Sequence, residues 1–168
     1  MKPAACQVQL LVCGNTDRCD DGAAIQATVE LLSRSTGDGP TDFAVHRCGG
    51  LDIVDLLKLP AGTRVVIADT ATGIAPGEVV TLTFEQLLAN PHGPTPRSSH
   101  ALPIELVIGV ANALNGAPID GLFVGIGGSD FGFGAAPSLE VRRALPKFTT
   151  AIKAALRRLA PTPTAVGA

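Results

Sequence analysis

The stretch TRVVIADTA, residues 63–71, restricts the fold of this chain more than any other segment. It is a continuous run of mainly apolar and β-branched residues, and it carries an acidic residue, Asp69, near its end. Such a run is typical of a central strand in a parallel sheet whose two faces are both covered. The run therefore predicts an α/β fold.

Strand-like and helix-like segments alternate along the rest of the chain. The strand-like segments are QVQLLVCG, DFAVHRCGG, GEVVTLTF and DGLFVGIGG. The helix-like segments are GAAIQATVELLSRS, LDIVDLLKLPAG, LPIELVIGVANALNG and PSLEVRRALPKFTTAIKAALRRLA. This alternation predicts one α/β domain over residues 1–160 with a mostly parallel sheet between helices, followed by a flexible tail at 161–168. GEVVTLTF alternates after a turn, which favours an edge or antiparallel strand.

The spacing of apolar residues predicts a first helix and the buried face of the last helix. In the first helix, Ile25, Val29 and Leu32 recur at this spacing. In the last helix, the predicted buried stripe is Phe148, Ile152, Leu156 and Leu159.

Composition excludes several classes of protein. The net charge is −2 and there is no basic cluster, which argues against nucleic acid as a partner. No apolar run reaches the length of a membrane span, and the N-terminal segment is too weak for a signal peptide. We therefore expect a cytoplasmic protein with reduced cysteines. The spacing of the four cysteines does not favour a zinc site.

Polar residues follow the predicted strands at the edge where α/β proteins place their sites. Asn15, Asp20 and Asp21 follow the first strand, Asp69 closes the central one, and His100 precedes a helix. Two carboxylates and an imidazole at one edge would suit a divalent metal such as nickel, zinc, manganese or iron.

Simpler explanations exist for the same residues. Asp20 or Asp21 is also well placed to cap the helix that begins near Gly22. Ser98 or Ser99 could cap the later helix, which would leave His100, like His46 and His92, without a role in the site.

Other catalytic classes lack their sequence patterns. The turn CGNTDRCDDG has neither G-x-G-x-x-G nor a P-loop lysine, so nucleotide binding is not favoured. No G-x-S-x-G motif is present for a serine hydrolase. A cysteine hydrolase that pairs Cys19 with His100 is an alternative.

An ordered set of short motifs over residues 7–160 resembles the nickel–iron hydrogenase maturation endopeptidases. The first is G-N followed by D-[DE]-G, and the next are a C-G-G turn, a strand ending in D-T, P-G-E, S-H, G-I, and a final segment with A-L-P. In this chain they are Gly14–Asn15, Asp20–Gly22, Cys48–Gly50, Asp69–Thr70, Pro76–Glu78, Ser99–His100, Gly125–Ile126 and, in the final segment, Gly134, Ser138, Val141 and Ala144–Pro146.

The resemblance implies a twisted, mostly parallel five-stranded sheet between helices, with one antiparallel strand. It also implies an endopeptidase that removes a C-terminal extension from the nickel-loaded large-subunit precursor of a hydrogenase. The residues that contact nickel in such enzymes correspond to Asp21, Asp69 and His100, and Asp20 is a second candidate for the group that activates water.

The sequence departs from the motifs of this family at two places, and both are expected to line the substrate groove. The usual D-G-G turn is here Cys48, Gly49 and Gly50, and the usual G-I-Q-P ends in Gly127 and Gly128. We predict that these glycines, together with Cys48 and Asn15, contact the substrate.

The hypothesis specifies how the metal and the partner take part. Nickel is expected to be presented by the precursor rather than held permanently, and other divalent ions would occupy the site adventitiously. The expected partner is the precursor, and the protein is expected to be a monomer or weak dimer. The alternatives are a non-catalytic, nickel-sensing assembly factor and a small-substrate hydrolase.

Overall fold

The computed structural model describes residues 8–34, 43–90, 95–96 and 102–161. The strands are β1 (Val8–Cys13), β2 (Phe43–Cys48), β3 (Arg64–Thr72), β4 (Val79–Thr83), β5 (Thr95–Pro96) and β6 (Gly121–Gly127). The α-helices are α1 (Ala23–Ser33), α2 (Ile53–Leu57), α3 (Phe84–Ala89), α4 (Ile104–Asn115) and α5 (Leu139–Leu159). A 3₁₀ segment, Cys19–Gly22, leads into α1.

The main sheet has the strand order β2-β1-β3-β6-β4. β1 pairs in parallel with β2 and β3, β3 pairs in parallel with β6, and β4 is antiparallel to β6 at the edge. The two residues of β5 pair with β3 in the antiparallel sense, off this path. The predicted five-stranded, mostly parallel sheet and its antiparallel edge strand are confirmed, and the central strand predicted from residues 63–71 spans Arg64–Thr72.

Helices cover both faces of the sheet because successive side chains of the strands point to opposite sides. Leu10 and Val66 lie in one core layer with α1 and α5. Leu11 and Ile67 lie in the other layer with α2, α3 and α4. All six residues of β1 are buried, which agrees with its position between two other strands.

The predicted first helix and the predicted buried stripe of α5 are both confirmed. Phe148, Ile152, Leu156 and Leu159 are all buried. In α1, Val29 and Leu32 are 62% and 51% exposed, and Ile25 and Leu31 lie on the buried face together with small residues of the helix.

Helix α3 was not predicted from the sequence. It begins directly after β4, and its N-cap Thr83 forms a capping box with Gln86: the Gln86 N–H donates to Thr83 Oγ1 over 3.1 Å, and the Thr83 N–H donates to Gln86 Oε1 over 2.9 Å. This reciprocal pair satisfies two free N–H groups at the helix start.

In the described part of the chain, no helix has the length and apolar character needed to cross a membrane.

We predict that Gly127→Ala lowers the free energy of unfolding by about 2–4 kcal/mol, the range expected for overpacking with loss of adjacent hydrogen bonds. A Cβ at Gly127 would lie 2.0 Å from the backbone oxygen of Ala75. The Gly127 N–H and C=O also hydrogen-bond to Glu78 and Gly77, each over 2.8 Å. Urea unfolding would measure the effect.

Gly49→Ala is the matched control, because a Cβ at Gly49 has no heavy atom within 4 Å. It should change stability by less than about 0.5 kcal/mol. Equal stability of the two variants would contradict the tight packing of Gly127.

Candidate functional site

The candidate site lies at the carboxyl edge of the sheet, beyond the ends of β1 and β6 and beside the last residues of β3. Asp69 on β3 is in register with Gly125 on β6. The hydroxyl of Thr70, also on β3, donates a 2.7 Å hydrogen bond to the backbone oxygen of Asp20. The 3₁₀ segment that carries Asp20 and Asp21 is therefore attached directly to the central strand.

The turn after β1 brings backbone against backbone. Gly14 has φ +119, and a Cβ there would lie 1.9 Å from the backbone oxygen of Asp21. The Asn15 N–H donates to that same oxygen over 3.2 Å. The side chain of Asn15, predicted to contact the substrate, accepts a 2.8 Å hydrogen bond from the Asp17 N–H and so closes its own turn.

Asp20 is fully buried and holds a distant loop in place. Its Oδ2 accepts from the backbone N–H groups of Ser129 (2.7 Å) and Asp130 (2.9 Å) and from the hydroxyl of Ser138 (3.0 Å). Its Oδ1 accepts from the backbone N–H of Ser138 over 2.6 Å. Burial on its own would raise the pKa of Asp20, but these donors outweigh it, and the pKa lies below its ordinary value.

Asp21 has a different environment from its neighbour. Its side chain is buried, and no described residue hydrogen-bonds to its Oδ1. Burial raises the pKa of Asp21, and the Asn15 N–H and the charge of Arg18 offset this only in part. A buried carboxylate oxygen without a donor is costly unless a cation or a proton reaches it.

Asp69 is the second carboxylate with this character. It is 4% exposed, and its Oδ1 accepts a 2.8 Å hydrogen bond from the Thr70 N–H. Burial raises the pKa of Asp69 well above its ordinary value; the Thr70 N–H lowers it, and the negative charge of Asp21 raises it further. Asp21 and Asp69 thus form a buried pair of interacting carboxylates, as predicted from their places after two strands.

A divalent cation fits the chemistry of this pair. Carboxylate oxygens are hard ligands, and a cation would compensate two charges that burial disfavours. The predicted third ligand, His100, lies outside the described residues, as do His92 and the serines at 98 and 99. Across the described ranges, no group of three or more histidine, cysteine or acidic residues that could hold a metal is found.

The structure argues against two alternative explanations, a helix-cap role for Asp20 or Asp21 and a nucleophilic role for Cys19. Neither the 3₁₀ segment, whose N-cap is Arg18, nor α1, whose N-cap is Gly22, has a side-chain capping bond. The hypothesis that Asp20 or Asp21 is a helix cap is therefore wrong. Burial, followed by the effect of Asp130, raises the pKa of the Cys19 thiol, which disfavours Cys19 as a nucleophile.

The two predicted groove segments differ in the space around them. Gly49, in the turn after β2, has open space where a Cβ would be, and its carbonyl accepts a 3.1 Å hydrogen bond from the Gly14 N–H. A Cβ at Gly128, in contrast, would lie 2.6 Å from both the Phe131 ring and Thr70 Cγ2. The absence of a side chain at Gly127 and Gly128 therefore serves internal packing.

Several residues that shape the site were not singled out from the residues themselves. Ser129 and Ser138 bind Asp20 from more than 100 positions away, a distance that no local pattern reveals. The guanidinium of Arg18 lies 4.8 Å from the centre of the Phe133 ring, and that ring is 85% exposed. The sequence signal that could have pointed to this loop is the glycine-rich segment GIGGSDFGFG, residues 125–134, which also carries serine and phenylalanine.

A large cavity opens at the amino edge of the sheet, opposite the edge that carries these carboxylates. It has a volume of about 650 Å³ and is lined by residues such as Phe84, Leu122 and Leu159. It holds no buried ionisable side chain, so the acidic edge is the better candidate for chemistry.

The structure is similar to several solved proteins. Hydrogenase maturating endopeptidase HybD from E. coli superimposes with a TM-score of 0.74 at 19% identity, covering 90% of this chain and 93% of that one. NiFe hydrogenase maturation protease HybD from Thermococcus kodakarensis gives a TM-score of 0.64 at 26% identity, covering 89% and 99%. The endopeptidase HycI from Escherichia coli gives 0.60 at 22% identity, covering 88% and 90%.

The chain has the fold of the hydrogenase maturation endopeptidases. The resemblance inferred from the sequence motifs is thereby confirmed. No protein-family model matches the chain, and no curated protein matches it in sequence. Within the maturation-endopeptidase fold, the carboxylate pair of this chain lies on the turn after β1 and on the central strand β3.

We predict that Asp20→Asn destabilises this maturation-endopeptidase fold by about 2–4 kcal/mol, because an amide replaces one oxygen of a buried carboxylate that accepts several hydrogen bonds. The folded-state pKa of Asp20 is lowered, so its contribution is present above the unfolded value of 3.8 and is lost as the pH falls through the folded value. Urea unfolding at neutral and acid pH would measure both effects. Asp17→Asn, on the exposed part of the same turn, is the control.

For Asp69→Asn we expect the opposite result: the metal-free variant gains on the order of 1 kcal/mol at pH 7, or about 2–4 °C in Tm. The folded-state pKa of Asp69 is raised, so above it the wild-type protein bears the full cost of the buried charge. The gain should shrink as the pH falls through the folded value and vanish below the unfolded value of 3.8. A loss of stability at pH 7 in thermal melts would contradict the assignment of Asp69 as an uncompensated buried charge.

Proposed function

We propose that this protein is an endopeptidase that removes a C-terminal extension from the nickel-loaded large-subunit precursor of a nickel–iron hydrogenase. The observation that carries the proposal is the buried pair of Asp21 and Asp69, with an unpartnered oxygen on Asp21, in a chain that has the maturation-endopeptidase fold. In this proposal, the substrate supplies the cation that the pair binds.

In this proposal, Asp21 and Asp69 recognise nickel that is already seated in the precursor. Burial raises the pKa of both carboxyl groups, and a bound cation would compensate the charges that burial disfavours. We propose His100 as the third protein ligand on the basis of its sequence motif. Two carboxylates and one imidazole leave coordination positions open for ligands of the precursor and for water.

The metal would hold the scissile bond at the edge of the sheet and would polarise its carbonyl or activate water. The protein contributes rigidity, since β3 carries Asp69 and the hydroxyl of Thr70 fastens the segment that carries Asp21. A site fixed by a central strand positions its ligands more precisely than a loop would.

Asp20 is better suited to positioning than to proton transfer. Both of its oxygens already accept hydrogen bonds, and its pKa lies below the ordinary value because three backbone N–H groups outweigh the effect of burial. A carboxylate in this state is a weak base. We propose that Asp20 acts through Asp21, its neighbour, and through the loop that it holds.

The extended tail of the precursor would pass beside the turn formed by Cys48, Gly49 and Gly50. Open space at Gly49 leaves room for a second backbone to approach. Asn15 is proposed to border the same path, since its turn is exposed next to Asp21. The protein would act in the cytoplasm as a monomer or weak dimer, and no described helix could anchor it by spanning a membrane.

The alternatives are less well supported. A non-catalytic assembly factor or a small-substrate hydrolase would also need a site, but the similar structures carry the names of maturation endopeptidases and proteases. A processing assay distinguishes both alternatives from the proposed endopeptidase.

The test is a processing assay with the full chain and its precursor, with and without inserted nickel, followed by the mass of the precursor. We expect loss of a short C-terminal peptide only when nickel is present. Asp21→Asn and Asp69→Asn should slow processing at least about 100-fold, because even the partners of metal ligands account for 10–100-fold.

Asp120→Asn is the matched control, since Asp120 is an exposed aspartate at the opposite edge of the sheet. It should process at the wild-type rate. Wild-type rates for both site variants would overturn the role of the carboxylate pair. A stable complex with an uncut precursor would instead indicate an assembly factor, and cleavage of small peptides without a precursor would indicate a small-substrate hydrolase.

A further inference from the structure

Strands β1 and β2 each end in a cysteine, and the two cysteines are partners. Cys13 and Cys48 occupy opposite positions in the parallel pairing of these strands. Both side chains belong to the same core layer, so they point to the same face of the sheet. Both thiols are free.

Adjacent strands lie about 4.7–4.9 Å apart, which falls within the Cα separation of about 4.4–6.8 Å found in disulfides. The two thiols also interact electrostatically, because the pKa of Cys13 is raised and that of Cys48 is lowered by the other cysteine. Bond formation would therefore require rotation of side chains and little movement of the strands.

We propose that Cys13 and Cys48 form a reversible redox pair, which a hydroperoxide oxidises to an intramolecular disulfide and a small thiol reduces again. Cytosolic disulfides of this kind are typically transient. The proposal concerns a covalent modification of this chain and does not depend on the proposed proteolysis.

Cys48 is the cysteine that reacts first. It is 8% exposed on the edge strand β2, whereas Cys13 is 1% exposed on a strand paired on both sides. The hydrogen bond from Cys13 also lowers the pKa of Cys48 against the effect of burial, which favours the reactive thiolate.

The chemistry is balanced in two steps. The Cys48 thiolate attacks one oxygen of the hydroperoxide, breaks the O–O bond and becomes a sulfenic acid, while an alcohol or water leaves after protonation. The Cys13 sulfur then attacks the Cys48 sulfur, the S–S bond forms, and water leaves with the Cys13 proton. Two small thiols reverse the reaction by exchange and are themselves oxidised to a disulfide.

The experiment treats the folded full-length protein with hydrogen peroxide and then determines its intact mass and its tryptic peptides without reduction. Trypsin separates the two cysteines, because Arg18 and Arg47 lie between them. Cys6 shares a tryptic peptide with Cys13, so the map is made in Cys6→Ser, which removes the ambiguity.

We expect the loss of two hydrogens, near-complete linkage of the peptides that carry Cys13 and Cys48, and full reversal by dithiothreitol. Cys13→Ala and Cys48→Ala should each abolish the link, whereas Cys19→Ser should retain it. The Cys6→Ser map alone decides the pairing if a variant at the buried Cys13 does not fold.

Three results would overturn the proposal. The first is oxidation of Cys48 to sulfinic acid without a link. The second is a link that involves Cys19 in place of the proposed pair, or a wild-type link that is lost in Cys6→Ser. The third is a folded protein that peroxide leaves unchanged while the unfolded chain reacts.

Discussion

The carboxylate of Asp20 is the interaction on which the rest of the site depends. It is fully buried and gathers the loop between β6 and α5 through hydrogen bonds from Ser129, Asp130 and Ser138. From the other side, Thr70 binds the backbone oxygen of the same residue. One side chain and its carbonyl therefore join three parts of the chain: the turn after β1, the central strand and the start of the last helix.

Two neighbouring aspartates have opposite electrostatic roles because of their partners. Asp20 accepts enough hydrogen bonds to lower its pKa in spite of burial, whereas burial raises the pKa of Asp21, which lacks such donors on Oδ1. Asp69 resembles Asp21. The fold thus uses one carboxylate to stabilise itself and keeps two others in a state that stability alone does not favour, a pattern common where function and stability compete.

The features that depend on a local sequence pattern could be predicted from the sequence. The apolar run of β3, the alternation of β4 and the places of Asp21 and Asp69 followed from periodicity and from the rule for strand ends. What depends on distant partners was not predictable: Ser138 meets Asp20 across 118 positions, and the exposure of Val29 and Leu32 depends on how α1 packs against the rest of the fold. Helix α3 was missed because its capping box at Thr83 directly follows a strand, where no loop marks a new element.

The long separation between Asp20 and Ser138 also bears on when the site can exist during synthesis. A ribosome makes Asp21 early and Asp69 near the middle of the chain, but the donors that seat Asp20 emerge only with residues 129–138. Until then the acidic turn lacks its anchor, and contacts of such high sequence separation form late in folding. A nascent or C-terminally truncated chain would accordingly carry the carboxylates without the geometry that the anchored Asp20 maintains.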